Sequence, residues 1–488
     1  MKKSGENQLK KLLQFVASLT VLTVLVFSPL NDAFTAHAEI ISEIGEETES
    51  AVISVWSDRL SQEQLADVTD GDEYTYYKTS VDRRFQFRTS KPVKGLYFLF
   101  EKPCRWTLTL PDGSVKQGGE NGYLHEYFAL EKEITGFAID LPAGGCLTDV
   151  YAFTDGVLPD WVQIWQPPCK RADLMIMSTH ADDEHLWFGG AMPYYAGELG
   201  YQVQVVYLTH HYKETYRGHE LLNGLWKVGI RNYPVITEKF LDDKETKRSF
   251  NAAASYFGYD RVMEFQVEML RRFSPRVVLG QDFNGEYGHG AHKLNSRTLL
   301  EALKIYQDPA VYPESAEKYG IHPVQKCYLH LWGENQITVQ WSDKILAHFG
   351  GRSALEMAKE GYSCHKSQQK WSFRVKEYGK YDCRQFGLVY TTVGSDTPGR
   401  NDMFENVDWS DGEEEEPENA ESAVSSEAEA EVPSEESSPE EGEALSKKKT
   451  GIEICGKEIL YNDVVFGVLA AVLSFAAVIA VIWLKGRQ

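Results

Sequence analysis

The chain has 488 residues, which is too long for one ordinary domain, and it carries a formal net charge of −22. Most of the negative charge lies in one glutamate-rich stretch, 411–443, which contains no Lys or Arg, so the total says little about the folded part. The chain has no basic patch, and this argues against a nucleic-acid partner.

The first 38 residues have the pattern of a secretory signal peptide. Four lysines lie within the first eleven residues, and an apolar stretch follows from Leu12 to Phe27. Ala36-His37-Ala38 then supplies the small residues of a cleavage site. We therefore expect a signal peptide over 1–38. An uncleaved anchor helix is the alternative, because the apolar stretch is rather long.

Residues 39–166 predict a β-sandwich domain. Segments such as Gly95–Phe100 and Trp106–Leu110 are short and rich in aromatic residues, and Pro111-Asp112-Gly113 is a turn signal. Short strands separated by such turns are typical of a β-sandwich. Val68–Thr75 also resembles the D-G-D-x-x-T element of discoidin-type, galactose-binding-like sandwiches. That resemblance implies glycan binding by aromatic residues of loops; a domain that serves only for packing is an equal alternative.

Residues 170–400, after the boundary at Pro167-Pro168, predict an α/β Rossmann-like catalytic domain. Apolar, strand-like runs alternate there with helical segments such as Asp260–Phe273, which is the pattern of a parallel sheet. Two of these runs, Leu174–Met177 and Val277–Gly280, are each followed by a cluster of histidine and other polar residues. In open α/β sheets ligands bind at the carboxyl ends of the strands, so we expect both clusters to lie at one site.

The two clusters are His180-Ala-Asp-Asp-Glu184 and His289-Gly-Ala-His292. Two imidazoles and one carboxylate, from His180, Asp183 and His292, suit Zn²⁺ and leave one coordination position open. A metal ion in such a site lowers the pKa of bound water to roughly 7. The spacing therefore predicts a zinc site for metal-assisted hydrolysis.

The other polar residues of the two clusters have predicted supporting roles. Asp182 points away from Asp183, because adjacent side chains diverge, and it is the predicted general base. Glu184 is expected to fix a histidine tautomer from outside the ligand set. His289 is expected to stabilise the developing oxyanion or to protonate the leaving amine.

Together the two clusters resemble the motifs of the LmbE/PIG-L family of zinc-dependent N-acetylglucosaminyl deacetylases. The resemblance covers roughly residues 172–392 and implies the same three ligands, base and acid partner. Tyr216-Arg-Gly-His-Glu220 resembles the family's R-x-x-E stretch, which implies that Arg217 contacts substrate. His365-Lys-Ser-Gln368 resembles a late H-x-S-Q element near the pocket.

This chain departs from the family pattern at two positions. Ala181 stands where the family usually has proline, which is a mild change. Ala291 replaces the acid of the second motif, so another residue must orient His289. Asp282 and Glu286 are the predicted candidates.

Simpler interpretations remain open for several of these residues. The first cluster can be a helix N-terminus, where acidic residues are favoured, and the second can be a pair of loop histidines. Arg217 and Glu220 have the spacing of a surface ion pair on a helix. His210 and His211 are expected to be a loop feature, and Trp187 is expected to be a core residue rather than a platform for a sugar.

The C-terminal part predicts a stalk and a membrane anchor. Residues 401–450 form an acidic linker of Glu, Ser, Pro and Ala, which is disordered by composition and extended by its own charge. Residues 464–484 are apolar and uncharged, long enough to cross a bilayer core of ~30 Å as one transmembrane helix. Lys485 and Arg487 follow and are typical of a cytoplasmic end.

The chain has seven cysteines, and none of their spacings is that of a C-x-x-C metal motif. Secretion permits disulfides, so Cys104 with Cys146 is a predicted pair, as are two of Cys327, Cys364 and Cys383. The odd number leaves at least one cysteine unpaired in a monomer.

These features predict a membrane-anchored extracellular zinc-dependent N-deacetylase with a short cytoplasmic tail. It would remove acetyl from N-acetylated amino sugars or glycans by attack of zinc-bound water on the amide carbonyl. The alternatives are a metal amidase or esterase acting on a non-sugar acyl group, and a catalytically inactive surface protein that binds glycans.

Overall fold

A computed structural model describes residues 49–57, 60–211 and 213–410, together with two short strands inside 452–459. The predicted signal peptide, the predicted transmembrane segment 464–484 and the linker from residue 411 to the first of those strands lie outside the described residues. No helix in the described part of the chain is both long and apolar enough to span a bilayer.

The first domain consists almost entirely of strands. Its elements are β1 (Val52–Ile53), β2 (Val55–Trp56), α1 (Gln62–Ala66), β3 (Tyr77–Lys78), β4 (Arg83–Phe100), β5 (Trp106–Thr109), β6 (Val115–Gly118), β7 (His125–Leu141) and β8 (Cys146–Phe153). The strands form one sheet in the order β1-β8-β4-β7-β5-β6, with β2 added to β4 and β3 added to β8.

Strands β4 and β7 are the longest of this domain, with 18 and 17 residues. Their pairing is irregular around Pro92, which cannot donate a ladder hydrogen bond. Before it, buried residues alternate with exposed ones (Phe85, Phe87), whereas every residue from Gly95 to Phe100 is buried. The Phe98 ring lies 5.9 Å from that of Phe137, and both belong to the core of this domain. The predicted all-β domain is thus confirmed, but one bent sheet encloses the core where two separate sheets were expected.

The second domain alternates strands with helices. Its elements are β9 (Leu174–Ser178), α2 (Asp183–Leu186), a π-helical segment (Pro193–Glu198), β10 (Val203–Tyr207), α3 (Tyr216–Lys227), β11 (Val235–Ile236), α4 (Phe250–Phe257), α5 (Tyr259–Phe273), β12 (Val277–Gly280), α6 (Gly290–Ile305), α7 (Pro313–Tyr319), β13 (Lys326–His330), β14 (Gln336–Thr338), β15 (Ile345–Leu346), β16 (Arg352–Ser353), α8 (Ala354–Ser363) and β17 (Gln385–Thr391). Short 3₁₀ turns lie at Lys244–Lys247, Glu286–Gly288, Trp341–Asp343, Ala347–Phe349 and Lys366–Gln368.

The main sheet of this domain has the order β11-β10-β9-β12-β13-β17-β14. The first five strands are parallel, and β17 and β14 are antiparallel to their neighbours. Numbered in chain order, the parallel strands lie 3-2-1-4-5, which is the order of a doubly wound Rossmann-like sheet. The predicted α/β architecture is confirmed. The winding reverses between β9 and β12, so their carboxyl ends form the crevice in which such folds bind ligands.

The main sheet is covered on both faces. Along β9, Leu174 and Ile176 belong to one apolar core, whereas Met175 and Met177 belong to the other. Alternating side chains of a strand point to opposite faces, so β9 is buried on both sides. This explains its continuous apolar sequence and the rigid support it gives to the residues that follow it.

The second domain extends beyond residue 400. Met403, Phe404 and Val407 are buried in the same core as β9. Residues 401–410 therefore pack against the domain, and the acidic linker begins later than predicted. The described strands β18 (Ile452–Ile454) and β19 (Lys457–Ile459) pair with each other as an antiparallel hairpin.

The predicted disulfides are wrong for the described cysteines. Cys104, Cys146, Cys169, Cys327, Cys364 and Cys383 are all free thiols. Cys327 and Cys383 lie in different cores, on opposite faces of the sheet. The thiol of Cys146 donates to the carbonyl of Gly144 and does not join Cys104. Spacing along the chain carried no information on these positions, and Cys455 lies outside the described residues.

Candidate active site

The turn after β9 has a strained backbone. Asp182 has a φ of 112°, a value that side chains other than glycine rarely adopt. Its N–H donates to Glu184 Oε2 (2.8 Å), which helps to hold the turn. Such strain persists where surrounding contacts enforce it and is common at functional sites. Here it places the side chains of Asp182 and Asp183 in different surroundings, as predicted.

Three side-chain atoms converge beside this turn. His180 Nδ1 lies 3.0 Å from Asp183 Oδ2 and 3.0 Å from His292 Nε2. His292 Nε2 lies 3.1 Å from the same carboxylate oxygen. The structure thus brings the three predicted ligands together, and all three are buried.

The spacing of these atoms fits a divalent cation. Ligand bonds of about 2.0–2.1 Å in a tetrahedron separate the donor atoms by roughly 3.3 Å, a few tenths more than the distances between these three atoms. Imidazole nitrogens and a carboxylate oxygen are the donors that zinc prefers. His289 lies close enough to join His180 and His292 in a metal-binding group.

His292 is oriented by a glutamate. It donates from Nδ1 to Glu286 Oε2 (2.8 Å), which leaves its Nε2 lone pair for the centre. Glu286 Oε1 lies 2.8 Å from His330 Nδ1. Burial would raise the pKa of Glu286, but the hydrogen bonds to His292 and His330 outweigh it and lower the pKa to about 2. Glu286 was a predicted partner of His289, and this was wrong because its carboxylate is used by the two other histidines.

His180 is flanked by a second acid that was not predicted. Its Nε2 lies 3.4 Å from Asp242 Oδ1. Burial would raise the pKa of Asp242, but the nearby His180 and His211 outweigh it and lower the pKa. His211 accepts from the N–H of Ala181 (3.3 Å), so this loop histidine is part of the site. His211 could have been predicted from its position, because it follows the carboxyl end of β10 by a few residues.

Arg217 lies at the start of α3 and faces the strained turn. Its guanidinium donates to the carbonyl of Ala181 and lies 3.7 Å from Asp182 Oδ1. Burial raises the pKa of Asp182 to about 8; Asp183 and Glu184 add to this, whereas Arg217 opposes it. A carboxylate with a raised pKa is a stronger base, which suits the predicted role of Asp182. Arg217 thus contacts the turn that carries Asp182, and the substrate contact implied by the resemblance stays a prediction.

The alternative of a surface ion pair between Arg217 and Glu220 is wrong. Both residues are buried, and Glu220 has other partners. It accepts from the hydroxyl of Tyr74 (2.7 Å) and from the N–H and hydroxyl of Ser367 (2.6 and 2.7 Å). Ser367 belongs to the predicted H-x-S-Q element, so Glu220 connects that element to the first domain.

His289 begins α6 and faces the centre. Its Nδ1 accepts from the N–H of Ala291 (3.2 Å), so the neutral ring carries its proton on Nε2. Its ring centroid lies 4.7 Å from that of His180 and 4.5 Å from that of His292. Burial lowers the pKa of His289, and the charges of His292 and His180 add to this. The helix N-terminus, rather than an acid, therefore orients this histidine.

Glu184 contacts His365 and His185, and neither of them is a predicted metal ligand. Its Oε1 lies 3.0 Å from His365 Nε2 and 3.4 Å from His185 Nε2. These three residues also form a buried group whose donor atoms are near one another. A Cβ at Gly224 or Gly361 would come within 2.7 Å of the His185 ring, so α3 and α8 pack directly on it. Burial lowers the pKa of both His185 and His365 to about 3, which makes them neutral packing residues.

Trp187 is a core residue, as predicted, and it also supports the site. Its side chain is 1% exposed, so it cannot serve as a platform for a sugar. Its indole N–H donates to Asp183 Oδ1 (2.6 Å). This bond leaves Asp183 Oδ2 to face the two histidines.

The D-G-D loop of the first domain packs against the second domain. The hydroxyl of Tyr74 donates to Glu220, and its ring stacks on Tyr216 at 4.8 Å. Asn223 donates to both oxygens of Glu73 at 2.7 and 2.9 Å. The loop's aromatic and acidic residues are thus used between the domains, which favours packing over glycan binding for this element.

Comparisons with known proteins agree with the motifs. No protein-family model matches the chain. The chain is 32% identical over 174 residues to 1D-myo-inositol 2-acetamido-2-deoxy-alpha-D-glucopyranoside deacetylase 2 of Saccharopolyspora erythraea, a match that covers 31% of this chain and 63% of the relative. It is also 25% identical over 174 residues to 1D-myo-inositol 2-acetamido-2-deoxy-alpha-D-glucopyranoside deacetylase of Streptomyces scabiei. That match covers 31% of this chain and 54% of the relative. The predicted resemblance to LmbE/PIG-L deacetylases is confirmed, and the chain spans less than two thirds of either relative.

One of the similar solved structures is also named as a deacetylase. It is N,N'-diacetylchitobiose deacetylase from Pyrococcus horikoshii, 17% identical, with 42% of this chain and 74% of that chain covered and a TM-score of 0.33. A likeness of this size carries no weight for function.

Proposed function

We propose that the protein is a metal-dependent N-deacetylase that hydrolyses the acetamido group of N-acetylated amino sugars. The observation that carries the proposal is the convergence of His180 Nδ1, Asp183 Oδ2 and His292 Nε2 within 3.1 Å of one another beside Asp182 and His289. The likeness to deacetylases of an acetamido sugar supports the choice of substrate class.

His180, Asp183 and His292 would hold a divalent cation, and Zn²⁺ suits their donor atoms. When bound, such an ion supplies Lewis acidity, which makes water acidic enough to ionise near neutral pH. Asp242, Glu286 and Trp187 keep the three donor atoms facing one another.

The remaining residues would move protons and hold the substrate. Asp182 takes a proton from the attacking water and later returns it to the nitrogen as the carbon–nitrogen bond breaks and acetate leaves. His289 donates from Nε2 to the developing oxyanion. Arg217 holds the turn through Ala181 and contacts the sugar.

The location of the enzyme is also a proposal. The signal-peptide pattern of 1–38 and the apolar segment 464–484 support an enzyme anchored in the plasma membrane, with its catalytic domain outside the cell. The acidic stretch 411–443, which lies between the folded part and the apolar segment, would act as a stalk.

The test is acetate release by purified, zinc-loaded protein from a panel of acetylated compounds. The panel holds N-acetylglucosamine, N,N'-diacetylchitobiose, N-acetyl-lysine and an acetate ester of a sugar. Acetate and free amine should appear in equal amounts from the acetamido sugars. If only the ester or only N-acetyl-lysine is hydrolysed, the protein is an esterase or an amidase of another acyl group. If none of the four compounds is hydrolysed, both the proposed function and this alternative are contradicted.

A further inference from the structure

A cleft of about 280 Å³ lies between the two domains. The first domain contributes the segment around Tyr123 and the side chain of Glu101. The second domain contributes one side of α3 and Tyr233–Ile236, which includes the edge strand β11. The rings of Tyr123 and Tyr233 stack across this boundary at 4.2 Å.

Three residues that line the cleft each have one buried polar atom without a hydrogen-bond partner. These atoms are Glu101 Oε2, the hydroxyl oxygen of Tyr123 and Arg217 Nε. The three residues are 2%, 6% and 6% exposed. Buried polar groups almost always find partners, so each one left alone calls for an explanation. A ligand with several hydroxyls would supply the missing partners once the three side chains rotate toward the cleft.

The cleft is in contact with the candidate active site. Arg217 and His211 line it, and both hydrogen-bond the main chain of Ala181 in the strained turn. A molecule in the cleft therefore lies next to the residues that position Asp182.

We propose that this cleft binds a neutral pyranose ring, namely the sugar that is linked to the acetylated amino sugar. The proposal rests on the proposed deacetylase function. The volume is just below the ~300–1,000 Å³ range of small-molecule sites, so it suits one ring rather than a longer chain. The hydroxyls of the ring would donate to Glu101 and accept from Tyr123 and Arg217. The first domain would then complete the substrate site from a surface other than the D-G-D loop.

The test compares one-ring and two-ring substrates in matched variants. Glu101→Gln and Tyr123→Phe each remove one group of the cleft and keep the shape of the side chain. Tyr76→Phe, at an exposed tyrosine of the same domain, is the control. We expect each cleft variant to raise KM for N,N'-diacetylchitobiose roughly tenfold, which is the loss of one buried hydrogen bond, and to leave kcat/KM for N-acetylglucosamine unchanged.

A second readout does not depend on turnover. Methyl β-D-glucopyranoside has no amide to hydrolyse, and calorimetry should detect its binding to the wild-type protein and a roughly tenfold weaker binding to Tyr123→Phe. If it binds in this way while no acetylated sugar is turned over, the cleft stands and the deacetylase function falls. If deacetylation occurs but the variants affect both substrates equally or not at all, the cleft proposal is overturned.

Discussion

Replacing Glu286 by glutamine is expected to weaken metal binding without unfolding the protein. The buried carboxylate of Glu286 contacts His292 Nδ1 and His330 Nδ1, both at 2.8 Å. The glutamine oxygen can still accept from His292, and its NH₂ group can face His330, so the shape of the site is kept. What is lost is the negative charge that raises the basicity of His292 as a ligand.

The size of the effect follows from these contacts. Removing an outer partner of a metal ligand typically costs 10–100-fold in metal affinity, or about 1.4–2.8 kcal/mol. The N–H of Asp282, which donates to Glu286 Oε1 at 3.0 Å, also loses an acceptor. We therefore expect the free energy of unfolding of the metal-free protein to fall by about 1–3 kcal/mol.

The assay is competition for Zn²⁺ against a chromophoric chelator, with thermal unfolding measured in parallel. Glu314→Gln, at an exposed glutamate, is the matched control and should behave as wild type. A zinc affinity of Glu286→Gln within twofold of wild type would refute the role assigned to Glu286, provided that the variant is folded.

Three further predictions can be checked independently. Asp182→Asn should keep its metal but lose ~10²–10⁴ in turnover, because it removes the general base; loss of metal would instead make Asp182 a ligand. Tyr74→Phe should lower the free energy of unfolding by about 0.5–1.5 kcal/mol, because the bond to Glu220 is lost, whereas Tyr76→Phe should not; equal stabilities would show that the bond does not join the domains. Protease added to intact cells should cut within 420–446 and release an active fragment; protection until lysis would contradict the proposed location.

The sheet and the ligand set were predictable because the motifs are local and the topology is regular. His180 and His292 each follow a strand of continuous apolar sequence, and β9 and β12 are neighbours at the point where the winding reverses. Once the sheet is parallel, both carboxyl ends must meet. Two short motifs were therefore sufficient to bring the three proposed ligands and Asp182 together.

Two of the outer partners, Asp242 and His330, were not predictable, because they come from other parts of the chain. Asp242 lies after the edge strand β11, and His330 ends β13, each more than thirty residues from the two clusters that contain the proposed ligands. Neither position has a local pattern that distinguishes it from an ordinary loop or strand residue. The cysteines show the same limit: the two faces of the sheet that separate Cys327 from Cys383 exist only after folding.

The central claim is that metal in the His180–Asp183–His292 site is required for deacetylation. The most direct measurement is acetate release from N-acetylglucosamine as Zn²⁺ is titrated into metal-free protein, with His292→Ala in parallel. We expect activity to rise in proportion to bound metal, to reach its plateau at one ion per chain, and to stay absent in His292→Ala. Full activity in metal-free protein, or in His292→Ala without bound metal, would contradict the account.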